Sequence, residues 1–301
     1  MPISHVLLAL VVVLVWGVNF LFVSIGLTEI SPLLLCALRF LVASVPAIFF
    51  VKLPRKSFKM VALYGVVMFA LQFSLLFIGM SVGMPAGIAS ILIQVQVFFS
   101  MFFAVVLLGE EPNIGQIMGA LVSFSGIVLV AMHFDHDISL AGFVFILAAA
   151  ATWGIGNLIT KQIKGEHVSM VSLIVWGSFV ACIPMFLISL IVEGASNFTS
   201  TFAHISWKGV GALFYIVFAS TWIGYGLWNW LMARYPVGMV APFTLLVPVV
   251  AMVSSVFFLG EPFYMWKLVA GLLVISGLCI NILGSRFLAV KPRINVDAEA
   301  A

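Results

Sequence analysis

Ten apolar runs, each about as long as a bilayer is thick, occupy most of this chain and leave little sequence for anything else. A helix needs about 20 mainly apolar residues to cross a hydrocarbon core of about 30 Å. Such runs lie at Val6–Leu27, Ser31–Val51, Met60–Gly79, Ala86–Leu108, Ile114–Met132, Ile138–Thr160, Val168–Val192, Gly209–Ala233, Val237–Leu259 and Leu268–Gly284. The connections are short, and only 193–208 and the tail after Ser285 have any length. Composition agrees: 64% of residues are hydrophobic and 8% charged, against about 45–50% and 25% in a soluble domain. Thirteen basic and ten acidic side chains cannot clothe a water-facing surface. The expected fold is therefore an all-α integral membrane protein. A net charge of +3 without a basic patch excludes a nucleic-acid partner. The first run has no preceding Lys or Arg and is too long for a signal-peptide core, so it is read as a span. Cys36, Cys182 and Cys279 each sit inside an apolar run without a CxxC pair and are read as small core residues.

Basic residues in short loops set the orientation. With a cytoplasmic N-terminus, the cytoplasmic loops carry Lys52, Arg55, Lys56, Lys59, Lys161, Lys164, Arg234, Arg286, Lys291 and Arg293, and the external loops carry only Lys208 and Lys267. Both termini are predicted to be cytoplasmic.

The sequence also repeats. Pro85, Gly87, Gly109-Glu110 and Gly126 recur as Pro236, Gly238, Gly260-Glu261 and Gly277 at an offset of 151, which Tyr64 and Tyr215 share. Upstream the offset falls to about 137, where Trp16-Gly17 matches Trp153-Gly154. The halves, 5–132 and 138–287, are followed by a polar tail, 288–301. Five spans per half is an odd number, so the second half enters the membrane from the opposite side. Inverted repeats of this kind place a substrate site near the midplane between the halves, the plan of a secondary transporter. A membrane enzyme needs a nucleophile, base or metal cluster, and the runs contain no group of His, Asp, Glu and Cys. No cofactor or metal is expected.

Trp16-Gly17, Leu38-Arg39-Phe40 and the Gly-Glu element after the fourth and ninth runs resemble the EamA domains of the drug/metabolite transporter superfamily, over about His5 to Phe287. Trp16-Gly17-Val18-Asn19-Phe20, Gly83-Met84-Pro85-Ala86-Gly87, Gln94-Val95-Gln96, Gly224-Tyr225-Gly226 and Leu245-Leu246-Val247-Pro248 are similar to its bacterial amino-acid metabolite exporters. The resemblance implies export of small amino acids or metabolites such as O-acetylserine and cysteine from a bacterial inner membrane. The alternative it leaves is efflux of drugs or other small metabolites.

Arg39 lies eight residues into the second run, about 12 Å deep. Arginine there costs about 2.5–3.5 kcal/mol on insertion scales and is retained for a partner or a path. With no acidic residue at that depth, its natural counter-charge is a substrate carboxylate. The remaining candidates for the substrate site are Asn19, Trp16, Gln94, Gln72, Trp153, Asn157, Trp176, Tyr225 and Trp228, with interhelical hydrogen bonding as the competing role for each. Asn229 and Thr244 complete the polar set, and at most one of Gln94 and Gln96 faces the path. Pro242 and Pro248 interrupt the ninth run where the fourth has Ile91 and Val97, which marks a candidate gate. The Gly-Glu pairs are expected to be helix caps, the acid serving the helix that follows. Ten spans suffice for a functional monomer, with lipid and the small-molecule substrate as its partners.

Overall fold

In hydrocarbon every backbone N–H and C=O must be satisfied within its own segment, and this chain answers with helix in each of its apolar runs. The computed structural model describes residues 1–109, 111–133, 138–163, 168–235 and 240–287. In chain order the rods are Ile3–Leu27; Pro32–Ile48; a third built from Phe58–Tyr64, Gly65–Leu71 and Gln72–Ser81; a fourth from Ala86–Leu92, Ile93–Val95 and Gln96–Leu108; Ile114–Ala131; Leu140–Ile163; Met170–Val192; an eighth from Trp207–Phe214, Tyr215–Gly224 and Tyr225–Arg234; a ninth from Ala241–Leu246 and Val247–Leu259; and Met265–Phe287. A peripheral helix, Ala195–His204, precedes the eighth. Among the described residues seven helices are long and apolar enough to cross a membrane, and Pro32–Ile48, Val247–Leu259 and Met265–Asn281 are shorter apolar helices. The chain is thus a multi-pass membrane protein.

The neighbours follow the sequence repeat. The main pairings are fifth with tenth, second with seventh, fourth with ninth, first with eighth and ninth, sixth with third and fourth, and third with seventh, matched less extensively by eighth with second. Exchanging the halves maps each of these pairings onto itself or onto another in the set. Individual contacts obey the offsets as well. A methyl at Gly119 would lie 2.5 Å from the Gly277 carbonyl oxygen, and one at Gly126 would lie 2.9 Å from that of Ala270. Between them Ser123 Oγ donates to the Val274 carbonyl at 3.0 Å, and Ser123 and Val274 are themselves 151 apart. Likewise Gly17 abuts Val250 and Gly154 abuts Phe99. Small residues let these backbones approach closely enough for dispersion to hold them.

Irregular turns also come in pairs. Gly65–Leu71 and Tyr215–Gly224 are π-helical, widened turns that often mark functional positions. Ile93–Val95 and Ala241–Leu246 are 3-10 turns inside the fourth and ninth rods. The break expected only in the ninth run is therefore present in both halves. Proline is not required for such a break, because the fourth rod breaks with Ile91 and Val97 in place. Pro248 is buried in the first turn of Val247–Leu259, where a missing N–H costs no helical bond. The side chain of Pro242 lies outside the described residues. Gly109 and Gly260 end their helices in the left-handed region at φ +65 and +66, the conformation that glycine adopts without a Cβ penalty.

Candidate functional site

Arg39 stands in mid-helix at 1% exposure. One Nη donates to Thr221 Oγ1 at 3.2 Å, while Nε and the other Nη have no hydrogen-bond partner. The guanidinium carbon rests 4.2 Å from the centroid of the Phe73 ring and 5.5 Å from that of Phe40, and Phe40 packs on Phe69 and Phe73. Aromatic faces attract the cation, but they accept none of its in-plane N–H bonds. Tyr225 and Cys36 are the titratable groups near enough to interact with its charge. The result is a buried cation on an aromatic bed with donors to spare, and such donors are costly unless something polar meets them.

Two further candidates share this condition. Gln72 is fully buried with both side-chain polar atoms unpartnered, and Asn19 is 8% exposed with Oδ1 unpartnered. Asn19 lies on the first rod, Arg39 on the second and Gln72 where the third leaves its π turn. These rods contact one another, and the first and second also contact the π turn of the eighth, which supplies Thr221. Trp16 donates to the Ser220 carbonyl at 3.1 Å. Its ring lies 5.2 Å from Tyr225 and 5.3 Å from Trp228, so three of the predicted aromatics form one wall between the first and eighth rods.

Other candidates are held elsewhere. Asn157 Nδ2 donates to Gln96 Oε1 at 2.8 Å and to Ser100 Oγ at 2.9 Å, clasping the sixth rod to the fourth. Gln94 Nε2 donates to the Thr244 carbonyl at 2.9 Å, across the two 3-10 breaks. Trp176 donates to the Val51 carbonyl at 3.1 Å, at the end of the second rod. Trp153 is half-buried against the hydrophobic core. The side chain of Asn229 lies outside the described residues.

Thr221 and Phe73 escape the sequence reading, since nothing distinguishes them from other Thr and Phe of the runs. The offset of 151 that joins the π turns offers the available hint.

Three acidic residues act at the end of the bundle opposite the N-terminus, and each bridges the halves. Glu193 closes the seventh rod onto the second: its carboxylate accepts from Ser31 Oγ at 2.6 Å, Leu33 N at 2.8 Å, Leu34 N at 3.2 Å and Ser189 Oγ at 2.6 Å. These bonds satisfy N–H groups that a helix start leaves free. Glu29, after the first rod, accepts from Ser206 N at 2.8 Å and Ser206 Oγ at 2.6 Å, at the start of the eighth. These hydrogen bonds hold its carboxyl below the ordinary pKa of 4.5. Glu261 accepts from Ala86 N at 2.8 Å. Its carboxyl is raised above 4.5, chiefly by burial, against the opposing pull of the Ala86 and Gly87 amides and of Lys267. The expectation that Glu261 caps the helix after it is corrected here: it caps the fourth rod, in the other half. Glu110 lies outside the described residues.

Comparison with known proteins places this architecture. The model of the EamA-like transporter family matches residues 3–132 and again 140–283. A protein of Salmonella typhimurium named "Probable amino-acid metabolite efflux pump" is 38% identical, over 93% of this chain and 95% of its own length. A protein of the same name from Escherichia coli is 36% identical over the same shares. A "Probable terminal-alkyne amino-acid exporter" of Streptantibioticus cattleyicolor is 30% identical over 59% of this chain and 57% of its own. A solved crystal structure superposes with a TM-score of 0.63 at 17% identity, covering 95% of this chain and 99% of that one.

Proposed function

The chain belongs to the EamA-like transporter family, and from that premise we propose that it exports small amino acids or their metabolites, O-acetylserine and cysteine among them, across the bacterial inner membrane by alternating access. In this reading all ten rods cross the bilayer, the termini are cytoplasmic, and 5–132 and 138–287 are inverted repeats that rock about a midplane site. The distribution of Lys and Arg supports the orientation. Contacts that follow the offsets of 151 and 137 support the repeat.

Arg39 carries the proposal. With Nε and one Nη unpartnered, and a second hydrogen on the Nη that bonds Thr221, the guanidinium keeps a planar fork of N–H donors for a carboxylate, and among the described residues no acid is there to take them. A substrate carboxylate on Arg39 would leave its ammonium group to Asn19 Oδ1 and the Gln72 amide, with Trp16, Tyr225 and Trp228 walling the side chain. Asn157, Gln94, Trp153 and Trp176, also candidates, serve in this account as supports of the cavity. Because the spans offer no acid to carry a proton, transport runs down the substrate gradient or by exchange. A monomer suffices for the cycle.

The test is efflux of labelled O-acetylserine from proteoliposomes, with protein-free vesicles and Arg39→Ala as controls. Efflux lost in the variant is expected, together with competition by zwitterionic amino acids and none by hydrophobic cations. Competition by such cations would instead favour the drug-efflux alternative. No efflux above the vesicle control would remove the cargo.

A further inference from the structure

The two ends of the bundle are tied differently. At the end that holds the N-terminus, the described bonds between the halves use no carboxylate: Ser172 Oγ donates to the Lys52 carbonyl at 2.8 Å, Trp176 donates to Val51, and His5 pairs with Tyr235. At the opposite end, Glu193 takes three bonds from the first turn of the second rod, and Glu29 takes two from the start of the eighth. These two acids sit on opposite halves and reach across in opposite directions.

The rods they join are those that flank Arg39. The second carries Arg39 itself, and the eighth carries Thr221 and the aromatic wall. Separation of the second rod from the seventh, or of the first from the eighth, would open a way from the external end to the guanidinium. Neither separation can occur without breaking a carboxylate's bonds to backbone N–H groups, which are about twice as strong as neutral ones.

We propose that Glu29 and Glu193 are the external gate, two carboxylate latches whose bonds to the opposite half hold the site closed to the outside and must release for cargo to leave. The inference rests on the alternating-access reading above, but not on which solute is carried. It assigns the pair a positioning role, since neither acid reaches Arg39 in this closed arrangement.

The experiment uses Thr221→Cys as a reporter beside Arg39, with Cys36, Cys182 and Cys279 replaced by Ala. A membrane-impermeant thiol reagent is applied to vesicles of either sidedness, in the parent and in Glu29→Gln, Glu193→Gln and the double variant. Loss of the latches is expected to raise external labelling about tenfold in the double variant and to lower labelling from the cytoplasmic side. Asp at either position, which keeps the charge, should restore part of the parent's asymmetry. Unchanged external labelling would overturn the proposal. A rise on both sides would overturn it too, because that is how a loosened or unfolded bundle behaves. If O-acetylserine efflux fails while labelling shifts in opposite senses, the cargo falls and the gate stands.

Discussion

A buried arginine with spare donors obeys a different rule from a buried arginine in an ion pair. Breaking a buried pair leaves an uncompensated charge and costs about 3–5 kcal/mol, whereas Arg39 has Thr221 and two aromatic rings in place of a carboxylate. Arg39→Met is therefore expected to melt at or above the parent's temperature in detergent while abolishing amino-acid efflux; a large fall in melting temperature would mean that Arg39 is structural. Arg39→Lys keeps the charge and loses the planar fork, so KM should rise at least tenfold. Thr221→Val removes the one hydrogen bond that the guanidinium makes among the described residues and should raise KM several-fold with little change in melting temperature. Arg39 was legible in the sequence because it is the one charge deep in an apolar run. The amides were not, because Asn19 and Asn157 look alike until one proves unpartnered and the other is found clasping Gln96 and Ser100. That difference depends on which rods meet, and local sequence does not contain it.

Helices in a bilayer are held by how closely their backbones approach, so the seam between the fifth and tenth rods is set by missing side chains. At Gly119 a methyl would meet the Gly277 carbonyl oxygen at 2.5 Å and Asn281 N at 2.8 Å, both backbone atoms that cannot turn aside. Gly119→Ala should cost about 1–3 kcal/mol, read as a lower melting temperature. Gly211→Ala, with nothing within 4 Å of the added carbon, should cost less than 0.5 kcal/mol, in line with surface substitutions. The recurrence of Gly126 as Gly277 was visible in the sequence as part of the repeat, but not that both line one seam, and the runs themselves were readable from hydropathy. The π turns at Gly65–Leu71 and Tyr215–Gly224 were not, because in a run apolar on every side a widened turn leaves no mark on the periodicity. Proline was conspicuous in the ninth run, but the corresponding break in the fourth, which has no proline, left no such mark.

Acidity at the end opposite the N-terminus, external in the proposed orientation, tests the molecule as a whole, because Glu29 and Glu261 respond to it in opposite senses. Sequence placed these acids at helix ends but assigned Glu261 to the wrong helix, since a cap reaching across the halves is invisible to local spacing. Burial raises the Glu261 carboxyl above 4.5 when it is seated beside Ala86. A proton therefore binds the seated form more tightly than a hydrated one, and mild acidification favours the closed bundle. Glu29 is lowered by its bonds to Ser206, so its contribution to closure is present above 4.5 and is lost as the pH falls below it. Lys267 is the charged neighbour of Glu261; its Nζ donates to the Pro262 carbonyl at 3.0 Å beside Tyr264 and Trp266, and His133 stacks on Trp266. His133→Gln is the control for the imidazole that stacks at this end. External labelling of the Thr221→Cys reporter, taken relative to a free thiol at the same pH because the thiolate is the reacting species, should slow as external pH falls from neutrality toward 4.5, then recover below it as Glu29 gains its proton. Glu261→Gln should remove the slowing and leave the recovery, and Glu29→Gln should do the reverse. Because both acids lie at one face, they can sense external protons without carrying them across. Substrate efflux should accordingly change in rate with external pH yet show no accumulation against a gradient when a pH difference is imposed. Uphill accumulation under that difference would show a proton path through the spans and refute export by gradient or exchange alone.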